Sequence, residues 1–146
     1  MSTATLTSTP TRSRITIVIA TLLAALAVNE LIYLIGHAIS GSFVFHQGGK
    51  VYHVNAGAIA ILTAPPVLIG MALAALLSVR WAWTLKAALV VAPVAAVATI
   101  FIMTIPADFD TASTVTLALT HLALAPVCVA GLLALGRVRA VGRAGS

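Results

Sequence analysis

The sequence predicts an all-α membrane protein: a four-helix transmembrane bundle with a short extracytoplasmic hairpin-like loop between helices 1 and 2. Three observations carry that expectation. Of the 146 residues, 61% are hydrophobic and 8% charged, whereas a soluble domain is about 45–50% apolar and about 25% charged. The apolar residues gather into four runs, each near the ~20 residues that cross a ~30 Å hydrocarbon core. The basic residues stand almost wholly on one side of those runs.

In chain order, residues 1–14 are rich in Ser and Thr, include Pro10 and end in Arg12 and Arg14, which reads as a disordered cytoplasmic lead. Spans are expected at about 15–38, 57–79, 87–105 and 112–136, followed by a basic cytoplasmic tail over 137–146. A helix satisfies its own backbone in lipid, where an open strand would not. Arg12, Arg14 and the run up to Ala25-Leu26-Ala27 imitate a cleavable signal peptide. Apolar residues resume from Leu31 to Ile35, so an uncleaved first span is expected.

The first loop, SFVFHQGGKVYHVN over 42–55, alternates apolar and polar residues on either side of Gly48-Gly49. That doublet suits the positive φ angles of a two-residue hairpin turn, which would set Phe45 opposite Tyr52 and Phe43 opposite Val54. A hairpin lid on the outer mouth is one reading; an irregular loop with interfacial aromatics is the other.

Arg12, Arg14, Arg80, Lys86, Arg137, Arg139 and Arg143 flank the spans on one side, and Lys50 stands alone on the other. The bias places both termini in the cytoplasm, with Trp81 and Trp83 in the interfacial belt. It also accounts for a pI near 10.4 without a nucleic-acid partner, because the cations sit at helix ends rather than in a stripe. The single Cys128 excludes an internal disulfide and thiol exchange.

VNAGAIAILTA opening the second span, the turn RWAWTLKAALVV and the stretch DTASTVTLALTHLALAPV opening the fourth resemble a family of small actinobacterial membrane proteins known only as a domain of unknown function. The resemblance covers roughly 12–138. It implies the four-span fold and carries no substrate, cofactor or catalytic residue.

Asn29 and Glu30 lie inside the first span, where an ionisable side chain costs about 2.5–3.5 kcal/mol at mid-helix and is a functional hypothesis by default. Glu30 and His121, in the fourth span, each fall ~12–13 Å below the outer surface at 1.5 Å per residue. An approach across the bundle interior is expected, as a static clasp between helices 1 and 4 or as a proton-handling site. Tyr33 and His37 follow Glu30 at i+3 and i+7 and extend its face toward the mouth. There His46, His53, Asp108 and Asp110 add polar groups, read as solvated loop residues because their spacing fits no metal motif. Pro65-Pro66 lies at the depth of Glu30 and suggests a broken helix beside a small cavity, with Thr63 and Thr99 able to repair freed backbone groups. Gly70 with Ala74, and Ala92 with Ala96, have small-xxx-small spacing.

The functional expectation is a small integral membrane protein of the plasma membrane, non-enzymatic, without metal or cofactor. Its partners would be the lipid bilayer and a second copy or another membrane protein. The alternative is a proton-coupled small-molecule transporter or channel subunit using Glu30 and His121.

Overall fold

The computed structural model describes residues 10–144, with side chains described over 13–140. Helix α1 (Pro10–Ala38) leads into a two-stranded hairpin, β1 (Val44–Gln47) and β2 (Lys50–His53), followed by α2 (Ala56–Arg80), α3 (Trp83–Thr99) and α4 (Thr111–Ala144). A π-helical segment, Ile100–Thr104, continues α3. The fold is an all-α four-helix bundle. Among the described residues, four helices are long and apolar enough to cross a membrane: Ser13–Ala38, Ala56–Arg80, Trp83–Thr104 and Thr111–Ala140.

Two ends differ from expectation. Residues 10–14, expected in the lead, are helical, because proline tolerates the first helical turn where no N–H is needed and nothing after Pro10 breaks the run. The rest of the lead, residues 1–9, lies outside the described residues. At the other end α4 runs past Arg137 and Arg139 into the expected tail, through a stretch of Ala, Leu and Arg that favours helix.

The helices do not pack as equals. α1 lies along α4 and also against α2; α3 leans on α4 with lighter contact to α2; the backbones of α1 and α3 do not approach closely. Two glycines permit the α1 and α4 approach. A Cβ on Gly36 would overlap the Thr116 side chain, and one on Gly131 would overlap Thr21 and sit 2.8 Å from Met71 Cε. The small-xxx-small expectation at Gly70 is not met, since a Cβ there meets nothing within 4 Å. Val18, Ala25, Val67, Met71, Leu132 and Leu135 fill the main core. A second cluster, Tyr33, Phe43, Ile59 and Leu117, lies beneath the hairpin.

The hairpin has the register that the sequence implies. Phe45 pairs with Tyr52 and Val44 with His53, Val54 N–H donates to Phe43 O at 2.8 Å, and Gly48 and Gly49 take φ of 59° and 75°. The Phe45 ring stacks on Tyr52 at 5.2 Å and meets Phe109 at 5.0 Å.

The broken second helix is not observed. α2 is continuous through Pro65 and Pro66. Each proline still removes the N–H that would serve the carbonyl four residues earlier, Ile61 and Leu62, and both of those residues are exposed on the bundle surface. The irregularity falls instead in the third span, where Ile105 N–H reaches back to Ile100 O at 2.9 Å.

Candidate functional site

Polar side chains meet in two places, a layer inside the bundle and a network at the hairpin end. The layer is built by helix register. Gly36 faces Thr116 and Gly131 faces Thr21, so each step along α1 matches one back along α4, and Glu30 is level with Leu122, beside His121. Asn29 Nδ2 donates to Thr63 Oγ1 at 2.9 Å, which brings α2 into the same layer. Thr99 Oγ1 and His121 Nδ1 lie 2.9 Å apart and bring in α3.

Equal depth does not make Glu30 and His121 partners. Successive helical residues diverge by about 100°, so Glu30 does not share the direction of Asn29, which bonds to Thr63 on α2, while His121 is bonded to Thr99 on α3. The expected clasp is therefore absent: His121 bonds to Thr99, and among the described residues Glu30 has no hydrogen bond or ion pair. Glu30 is half-buried, and Asn29, 2% exposed, keeps its Oδ1 without a partner.

The Thr99 and His121 pair has the elements of a hydroxyl and a base, but its proton is directed elsewhere. Thr99 Oγ1 donates to Ala96 O at 2.8 Å. A hydroxyl has one hydrogen, so with that hydrogen on the Ala96 carbonyl the neutral ring donates to Thr99 from Nδ1–H and keeps Nε2 as its acceptor. This is the arrangement of a clasp between α3 and α4 rather than of a base removing a proton from the hydroxyl.

At the hairpin end His46, His53 and Asp108 are exposed, as expected of loop groups, and the two aspartates also make structural bonds. Asp110 caps α4: its Oδ1 accepts Ser113 N–H at 2.9 Å, and its Oδ2 accepts the Ser113 hydroxyl at 2.5 Å, the Ser42 hydroxyl at 2.6 Å and Ser42 N–H at 3.1 Å. Ser113 Oγ in turn accepts Phe43 N–H at 2.8 Å. Phe43, 1% exposed, takes a φ of 53°, rare for an aromatic residue. Its N–H bond to Ser113 and the packing of its ring on Tyr33 at 4.7 Å hold that conformation.

Asp108 accepts His46 N–H at 2.7 Å on Oδ1, and its Oδ2 lies 3.0 Å from His46 Nδ1. The backbone N–H of His46, then its ring, hold the Asp108 carboxyl below its ordinary range. The Ser113 and Ser42 hydroxyls, with the Ser113 N–H, hold that of Asp110 well below it. Hydrogen bonds to the charged form are the cause in both.

The polar stripe toward the mouth is partly built. Tyr33 OH reaches Val54 O at 3.4 Å, and its ring stacks with exposed His37 at 6.0 Å. His53 is exposed on β2. Among the described residues, no group of three or more His, Cys, Asp or Glu gathers to hold a metal.

Sequence reasoning missed the Asp110 cap, although Asp followed three residues later by a hydroxyl at the start of an apolar run is a legible helix start. It also missed Arg14, whose Nη1 donates to Ala75 O at 2.9 Å and lies 3.5 Å from Ser78 Oγ. Nothing local announces that contact, which joins residues more than sixty positions apart.

Residues 9–138 match the family of unknown function DUF6069. The chain belongs to that family. The match takes in the first three spans, nearly all of the fourth, the hairpin and both polar regions of this DUF6069 protein. Comparison with curated proteins and with solved structures gives no match.

Proposed function

We propose that this DUF6069 protein is a multi-pass protein of an actinobacterial plasma membrane, with both termini cytoplasmic, that acts without enzymatic chemistry through a partner in the bilayer. One observation carries the reading: Glu30 stands inside an apolar span, half-buried, with no hydrogen bond or ion pair among the described residues. A carboxyl group there is costly unless something satisfies it. The chain's own candidate, His121, is taken by Thr99, so the partner supplies the donor.

A photo-crosslinking residue in place of exposed Leu34, one turn from Glu30, tests this in native membranes. A discrete adduct, to a second copy or to another membrane protein, that weakens with Glu30→Leu is expected. The same adduct with and without the carboxyl group would overturn the reading.

The second reading is a proton-coupled transporter or channel subunit. It draws on a carboxyl group with no hydrogen bond or ion pair among the described residues, at the depth of the Asn29 and Thr63 bond and the Thr99 and His121 bond. Proteoliposomes given a pH jump would then acidify through the native chain and not through Glu30→Gln. Equal fluxes would exclude it.

A further inference from the structure

The bundle's other end has the opposite chemistry from the hairpin end. The three acids of the whole chain are Glu30, Asp108 and Asp110. None stands among the cations that close the far end.

Register places those cations together. Seven residues beyond the Thr21 and Gly131 contact, Arg14 is level with Val138, between Arg137 and Arg139. Arg14 also reaches Ser78, two residues from Arg80. Leu85 packs at Gly136, which sets Lys86 level with Leu135, two residues from Arg137 on the antiparallel α4. Arg14, Arg80, Lys86, Arg137 and Arg139 thus form one belt around the helix ends.

Arg80, Lys86 and Arg137 are exposed, and none of the five has a carboxylate partner among the described residues. Arg14 directs its guanidinium to the Ala75 carbonyl, which offers a dipole and no charge. Trp81 and Trp83, 46% and 64% exposed, stand in the same belt, and the Arg80 guanidinium lies 5.9 Å from the centre of the Trp81 ring.

Five cations gathered at the helix ends, with no Asp or Glu of the sequence among them, repel one another unless anions come from outside the chain. A belt that rings the bundle at the lipid interface, with two indoles beside it, meets headgroups before any soluble ligand. We propose that this belt binds anionic phospholipid, its Arg and Lys side chains holding headgroup phosphates while Trp81 and Trp83 pack at the glycerol level. The proposal rests on the membrane reading and is independent of what satisfies Glu30.

The chain supplies its own probe, because Trp81 and Trp83 are its two tryptophans. Their fluorescence reports this belt and nothing else. The full-length protein is reconstituted in phosphatidylcholine vesicles containing brominated phosphatidylglycerol or, at equal mole fraction, brominated phosphatidylcholine.

Stronger quenching by the anionic lipid is expected. Each basic residue near the surface should contribute about fivefold to the preference, so Arg80→Gln with Lys86→Gln lowers it more than tenfold. Salt weakens it, and Lys50→Gln at the hairpin end leaves it unchanged. Equal quenching by the two lipids overturns the proposal while upholding the membrane reading. A protein that neither floats with vesicles nor is quenched by either lipid overturns both. Reversal by inorganic phosphate at equal charge would make this a free-phosphate site, and reversal by an acidic peptide a protein-docking site; either replaces the lipid.

Discussion

The hairpin end and the basic end solve the same problem, a helix bundle's polar termini, by opposite means. At the hairpin end each aspartate is matched inside the chain: Asp110 by Ser42 and Ser113, Asp108 by His46. At the basic end Arg14 finds a backbone carbonyl and the other described cations find no carboxylate. The difference teaches that one end of this bundle satisfies its acids internally, whereas the described cations of the other end have no acid within the bundle to meet.

The most severe way to break that contrast is through the steric contacts that set both ends in register. Gly36→Ala and Gly131→Ala each force a methyl group into a β-branched threonine side chain. Each should cost about 1–3 kcal/mol, the range of overpacking, lowering the melting temperature in detergent. Gly70→Ala, which meets nothing, should gain up to about 0.5–1 kcal/mol from helix entropy. Equal melting of all three would show that glycine contact does not set the register.

Arg14→Met comes next. It retains a long apolar stem and loses the charged bond to Ala75 O, worth about 1.5 kcal/mol at the lower end for bonds to charged groups. Denaturation in detergent should show the loss, with the hairpin's amide exchange unchanged. Exchange that rises equally at both ends would mean that the ends are not independent.

Thr99→Val should cost less, about 0.6 kcal/mol, the mean for polar contacts between membrane helices. A ring-nitrogen chemical shift is the sharper readout: His121 should lose its fixed Nδ1–H tautomer. No change in the ring signals would contradict the clasp.

The smallest effect is set by pH at the hairpin end. Both aspartates have folded pKa values depressed below the ordinary 3.8. Their contribution to docking is fully present above that value and is lost as pH falls through the folded values. Amide protection of Ser42, His46 and Ser113 should therefore decline in strong acid, and Asp110→Asn should remove the Asp110 part of that dependence. The basic end should show no matching transition there.

Local chemistry determined much of this protein. Run length and hydropathy mark four helices, because a span must be both long and apolar, and Gly48-Gly49 dictates the hairpin register, because a two-residue turn with positive φ admits little else. The depth of Glu30 and His121 was also legible, since helix rise is constant. Direction around the helix axis was not.

Whether Glu30 meets His121, or His121 meets Thr99, depends on how each helix is rotated, and that is decided by Gly36 against Thr116 and Gly131 against Thr21, contacts between residues far apart in sequence. Four spans without strong amphipathic patterning leave rotation open until side chains interlock. The sequence by itself set which residues stand at which level, and the tertiary structure alone decided which of them touch.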